Sequence, residues 1–269
     1  MLQRPVRENE VALLIQKLSQ YDGDEKGVNL SEAMMSFTNT LICKIAFGKK
    51  CDFDYGEVEL GSGERKSRLH VLLNEAQALL GTDTSAAIVV WAMTALMNNP
   101  RVMNKVQMEM RNLYEDDIEK LPYLKSVVKE TLRLFPPSPL LLPRETLENC
   151  NIDGYEIKPK TLVYVNAWAI ARDSENWEDA EEFYPERFFM SGVDFKGKDF
   201  ELIPFGSGRR MCPAMNMGVV TVELSLANIL HCFDWKLPYE EEVLDTQVKP
   251  GITMHKKIDL YLVPRKRKP

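Results

Sequence analysis

The sequence predicts a mainly α fold with a small β element. Three observations carry this. Apolar residues recur at three- and four-residue spacing along much of the chain, prolines close several of those stretches, and one short region between 152 and 165 turns to β-type residues. Residues 10–18 and 30–47 read as amphipathic helices, with Asn29 and Ser31 as caps for the second. Residues 22–27 form a polar loop, and 52–63 a second one rich in glycine and acids. Residues 69–97 are apolar-rich, broken by Gly81-Thr82-Asp83-Thr84-Ser85, and closed by Asn99-Pro100, because proline disfavours helix in the residue before it. Helices follow over 101–113 and 126–134, the second ended by Pro136-Pro137. Residues 152–165 read as a β-hairpin turning at Lys158-Pro159-Lys160, and 167–172 as a short helix. An aromatic-rich loop spans 173–197, and a helix with a broad apolar face covers 214–231.

Composition narrows the function. The 269 residues hold 34 basic and 40 acidic side chains, a net charge of -6, which argues against a nucleic-acid grip. The basic cluster at 265–268 reads as a solvated tail. Five cysteines at irregular spacing argue against a disulfide framework and favour a reducing compartment. The three histidines, His70, His231 and His255, show no pairing suited to zinc. No apolar run approaches the ~20 residues of a membrane span, and the polar start is unlike a signal peptide. On this reading nothing in the chain anchors it to a membrane.

The strongest chemical signal is Phe205-Gly206-Ser207-Gly208-Arg209-Arg210-Met211-Cys212-Pro213. A cysteine follows a glycine-rich loop and directly precedes a helix. Glycines let the backbone approach a flat cofactor, the helix N-terminus favours thiolate, and Arg210 offers a guanidinium to a carboxylate. A buried structural cysteine after a turn is the plain alternative.

This stretch resembles the cytochrome P450 haem loop at Phe205, Gly208, Arg210 and Cys212, with Ala214 where that family usually has glycine. The resemblance implies an incomplete cytochrome P450 fold, with Cys212 as the thiolate ligand of haem iron. Two further motifs, in the family's order, support it. Glu130-Thr131-Leu132-Arg133 resembles the family's Glu-x-x-Arg, which joins an arginine of Pro185-Glu186-Arg187-Phe188. The implied role of Glu130, Arg133 and Arg187 is a structural charge network behind the haem. Gly81-Thr82-Asp83-Thr84-Ser85 resembles the oxygen-activating part of the family's central helix, with Asp83 and Thr84 as a catalytic acid–alcohol pair. Arg144 resembles a second contact to a haem propionate. The wording from 120 to 157 is similar to the plant microsomal branch that oxidises specialised metabolites.

The resemblance divides the chain into residues 1–80, a partial helical segment like the region before the oxygen helix, and 81–269, the haem-binding core. Family members are about twice as long, and 72–81 resembles a segment that elsewhere lies well before the oxygen helix, so two distant pieces meet at Gly81. Leu80 stands where the family has alanine or glycine, and a smaller gap falls near Tyr114-Glu115. These departures imply a marginally stable protein with a partly exposed haem. Two readings stand. One is a haem-thiolate monooxygenase that takes dioxygen and a small apolar organic substrate, with electrons from an NADPH-dependent flavoprotein reductase, at the cytosolic face of the endoplasmic reticulum. The other is a truncated haem-binding or interaction remnant without turnover.

Overall fold

The computed structural model describes residues 4–47, 57–59, 65–67, 82–112, 120–238 and 243–267. Gly81, Leu80, His70, Cys51 and the Tyr114-Glu115 position lie outside them.

In chain order the elements are α1 (Arg4–Ser19), β1 (Val28–Asn29), α2 (Leu30–Phe47), β2 (Glu57–Glu59), β3 (Arg65–Ser67), α3 (Thr82–Asn98), α4 (Pro100–Asn112), α5 (Pro122–Leu134), β4 (Arg144–Glu145), β5 (Cys150–Ile152), β6 (Tyr155–Ile157) and β7 (Leu162–Val163). There follow α6 (Ala167–Ile170), α7 (Arg187–Met190), a 3-10 turn (Gly208–Arg210), α8 (Met215–Cys232), β8 (Phe233–Lys236), β9 (Val248–Lys249), β10 (His255–Lys256) and β11 (Tyr261–Lys266).

The core is built around α3. Residues Ala86 through Leu96 are all buried, and Thr94 among them turns its hydroxyl back onto the Val90 carbonyl at 2.8 Å. A helix apolar on every side has to be surrounded, and α2, α4, α5 and α8 all pack on it. Pro100 both closes α3 and opens α4, where its missing N–H costs nothing. On α4, Val102, Val106 and Met110 recur every fourth residue and are buried, while Arg101 and Lys105, on the adjoining stripe, are exposed. Pro122 plays the same opening part in α5.

Of the two expected caps on α2, Asn29 is the one that caps, its Oδ1 accepting from the Glu32 N–H at 3.0 Å. The Ser31 hydroxyl instead accepts from the Leu260 N–H at 2.9 Å, so it ties the helix start to the distant C-terminal region.

The β region differs from the expected single hairpin. β5 pairs antiparallel with β6, while β7 pairs with β4. The hairpin therefore turns at Asp153-Gly154, with φ of 49° and 84°, a two-residue turn matching the strand twist. Lys158-Pro159-Lys160 links two separate small sheets. A three-stranded antiparallel sheet in the order β1-β11-β8 has no counterpart in the sequence expectations. It takes in Arg265 and Lys266, whose side chains are exposed but whose backbone is paired with Asp234 and Phe233, so the basic cluster is partly strand and not a free tail.

A candidate haem-thiolate site

Cys212 sits at the end of a closed loop. Its N–H donates to the Phe205 carbonyl at 2.9 Å, and Met211 N–H to the Gly208 carbonyl at 3.2 Å, so the backbone from 205 to 212 folds back on itself. Gly206 and Gly208 make this possible, with φ of 72° and 71°, a region costly to any residue with a Cβ. Phe205 lies partly buried, edge-on to Phe195 at 5.5 Å between centroids, which pins the loop to the core. The thiol is half-buried and outside any disulfide. Two residues on, Ala214 takes φ of −93°, which alanine adopts freely, and α8 begins at Met215.

The 140–144 segment runs alongside. Leu141 comes within 3.9 Å of where a Cβ on Gly206 would stand, and Arg144 Nη2 donates to the Arg210 carbonyl at 3.0 Å. That contact brings two exposed guanidiniums, Arg144 and Arg210, to the same loop. Leu140 and Leu142 are exposed beside them. One sulfur, two guanidiniums and exposed leucines fit a flat apolar macrocycle bearing two carboxylates and a thiolate-bound metal. No group of three or more histidines, cysteines and acids able to hold a metal occurs among the described residues.

Asp83 and Thr84 lie in the first turn of α3. Their neighbour Ser85 is 3.7 Å from where a Cβ on Gly218 of α8 would stand, so the start of α3 lies against the helix that follows Cys212. Asp83 does not stand alone: its Oδ2 is 2.7 Å from His255 Nε2.

Glu130, Arg133 and Arg187 meet in one network. Arg133 Nε and Nη2 reach the two oxygens of Glu130 at 2.8 Å each, and both side chains are 0% exposed. Arg187 Nε and the Tyr184 N–H share Glu130 Oε1 at 3.1 and 2.8 Å. The remaining N–H groups of Arg133 go to the carbonyls of Ala171, Ala180 and Glu182. Trp177 lies under the Arg133 guanidinium at 5.2 Å.

A second charged cluster is not visible in the sequence alone. Glu186 accepts from Arg101, from Lys105 at 2.6 Å and from Tyr123 Oη at 3.2 Å. Burial alone would raise the Glu186 carboxyl, but the hydrogen bonds from Arg101 and Lys105 prevail and hold it down to about 2. Burial and the adjacent Glu186 charge push the Tyr123 phenol up. Glu186 stands in plain view within Pro185-Glu186-Arg187-Phe188, but its partners lie on α4 and α5, which no local pattern reveals.

The family model for cytochrome P450 matches residues 71–263. The chain belongs to the cytochrome P450 family. Among its relatives, Cytochrome P450 71B9 of Arabidopsis thaliana is 52% identical over 220 residues, 78% of this chain and 44% of that protein. Cytochrome P450 71B37 of the same plant is 53% identical over the same length and the same shares. Dihydroniloticin synthase CYP71CD2 of Melia azedarach is 52% identical over 193 residues, 68% of this chain and 38% of that protein. This P450 chain thus spans less than half the length of the curated relatives it matches. A solved zebra fish cytochrome P450 with abiraterone superposes with a TM-score of 0.80 at 21% identity, covering 98% of this chain and 78% of that one. The cofactor that goes with the family is a thiolate-ligated haem. No helix among the described residues of this P450 is long and apolar enough to cross a membrane.

Proposed function

We propose that this chain is the haem-binding part of a monooxygenase that inserts one oxygen atom from dioxygen into a small apolar specialised metabolite. Electrons come from NADPH through a flavoprotein reductase, at the cytosolic face of the endoplasmic reticulum. The observation that carries the reading is Cys212, half-buried between a loop closed on Phe205 and the first turn of α8.

When bound, the haem supplies oxygen activation, and the thiolate ligand favours O–O cleavage. The chain's own residues do the rest. Cys212 would ligate the iron through its sulfur, three residues before α8 begins. Gly208, at φ 71°, would let the loop backbone approach a macrocycle closely, and Phe205 holds the loop against Phe195. Arg144 and Arg210, joined through the Arg210 carbonyl, would bind the haem propionates. Asp83 and Thr84 hold and pass protons at the start of α3. Glu130, Arg133 and Arg187 fix the core and take no part in chemistry.

A carbon-monoxide difference spectrum of the reduced, haem-loaded protein tests this. A thiolate-type band that Cys212→Ser abolishes supports the site, and a band that survives the substitution overturns it. A thiolate band without any turnover in the presence of reductase would favour the non-catalytic alternative.

A further inference from the structure

The segment around β10 is held to α3 by three contacts in a row. Asp83, Ala87 and Trp91 stand four residues apart, on one stripe of the helix. Ala87 and Trp91 are buried against Met254, Trp91 Nε1 donates to the Met254 carbonyl at 2.7 Å, and Trp91 stacks on Phe135 with centroids 4.4 Å apart and planes 3° from parallel. On its other side the Met254 N–H donates to the Pro137 carbonyl at 2.9 Å. Met254 is therefore clamped between α3 and the turn after α5, and the next residue, His255, reaches Asp83 Oδ2 at 2.7 Å.

Among the described residues, the charged groups that flank the pair are turned elsewhere or lie across the strand pair. Asp83 is the one ionisable side chain on α3. Across the strand pair His255 faces Lys249, and its chain neighbours are Lys256, turned to the Asp245 carbonyl, and Lys257, turned to Gln247. The imidazole is 28% exposed and the carboxylate 13%, so the ring is the more exposed of the two.

We propose that His255 is a positioning residue for Asp83, fixing its carboxylate and exchanging its proton with solvent. This rests on the reading of Asp83 as the acid of the oxygen-activating pair. In the step, an imidazolium gives its Nε2 proton to Asp83 Oδ2. The products are a neutral ring and a carboxylic acid, and the ring regains a proton from bulk water. The two hydrogen bonds of Met254 seat the next residue with its Nε2 2.7 Å from Asp83 Oδ2, within reach for transfer.

The test uses haem-loaded Asp83→Asn, His255→Gln, His255→Leu and the Asp83→Asn/His255→Gln pair, driven by NADPH and a plant flavoprotein reductase without substrate. Consumed oxygen is partitioned between hydrogen peroxide and water. Both His255 variants are expected to raise the peroxide-to-water ratio on the order of tenfold, less than the roughly hundredfold that loss of a positioned acid costs. The double variant should exceed Asp83→Asn by nothing. If Asp83→Asn raises the ratio while both His255 variants keep the parental value, the proposal is wrong and the Asp83 reading stands. If His255→Leu raises it but His255→Gln does not, the proton exchange is wrong. A parental ratio in Asp83→Asn removes the Asp83 reading itself, and this proposal with it. Unfolding midpoints of the same variants without haem supply a readout independent of turnover, and strictly additive shifts there would overturn the contact.

Discussion

Both carboxylate oxygens of Glu130 accept from Arg133, each at 2.8 Å, and neither side chain has any exposed surface. Arg133 thereby places all five of its N–H donors on protein atoms: two on Glu130 and three on the Ala171, Ala180 and Glu182 carbonyls. A buried ion pair with such complete satisfaction is costly to break from one side. Glu130→Ala leaves an uncompensated guanidinium and should cost roughly 3–5 kcal/mol, read as a lower denaturant midpoint and as loss of haem on gel filtration. A soluble, haem-replete Glu130→Ala protein altered only in turnover would contradict the structural role.

Cys212 and Cys232 bracket α8 from opposite ends. Cys212→Ser is expected to remove the thiolate-type spectrum of the reduced, carbon-monoxide-treated protein. Cys232→Ser should leave that spectrum in place. Equal behaviour of the two variants would mean that the ligand has been misassigned.

Thr84 follows Asp83 in the first turn of α3. If the alcohol holds a proton for oxygen cleavage, Thr84→Ala should increase peroxide released per oxygen consumed, whereas Thr84→Ser should stay near the parent. Unchanged partition in Thr84→Ala removes the role.

The Glu186 cluster makes an acid-stability prediction. Its carboxyl is held down to about 2 from an ordinary 4.5. A depressed carboxyl adds stability that is complete above its unfolded value and fades as pH falls toward the folded one. The loss should therefore fall between about pH 4.5 and pH 2, and Glu186→Gln should flatten that part of a stability-versus-pH curve. The same steepness in parent and variant would show that Arg101 and Lys105 contribute nothing through this pair.

Local chemistry is the legible part of the sequence. Asn29 ahead of an apolar-periodic run marks the start of α2, and Glu130 with Arg133 declares itself as an i, i+3 pair on one helix face. The Cys212 loop is likewise contiguous, so its glycines and arginine can be read off together. Contacts built from distant segments are not legible. Asp83 and His255 are 172 positions apart, and nothing near either residue announces the other. The three-stranded sheet escapes because β1 is only two residues long, too short for any periodicity. For the hairpin, proline at 159 is the louder turn signal, whereas Asp153-Gly154 is the turn that fits strand twist.

The pairing of β1 with β11 has a consequence for how the chain is made. Val28 and Asn29 pair with Leu262 and Tyr261, Leu30 N–H donates to the Leu260 carbonyl, and Gly23 N–H to that of Pro264. On the ribosome, the first two helices therefore emerge long before the strand that fastens them. Their apolar faces, Val11, Leu14 and Leu18 on α1 and Met34, Phe37 and Leu41 on α2, lack that support until nearly the whole described chain has been translated. Such high-contact-order closure is slow and leaves a window for association with other nascent chains. Stalling or trimming translation before Tyr261 should thus produce chaperone-bound or aggregated protein, even though every residue of the Cys212 loop is already present.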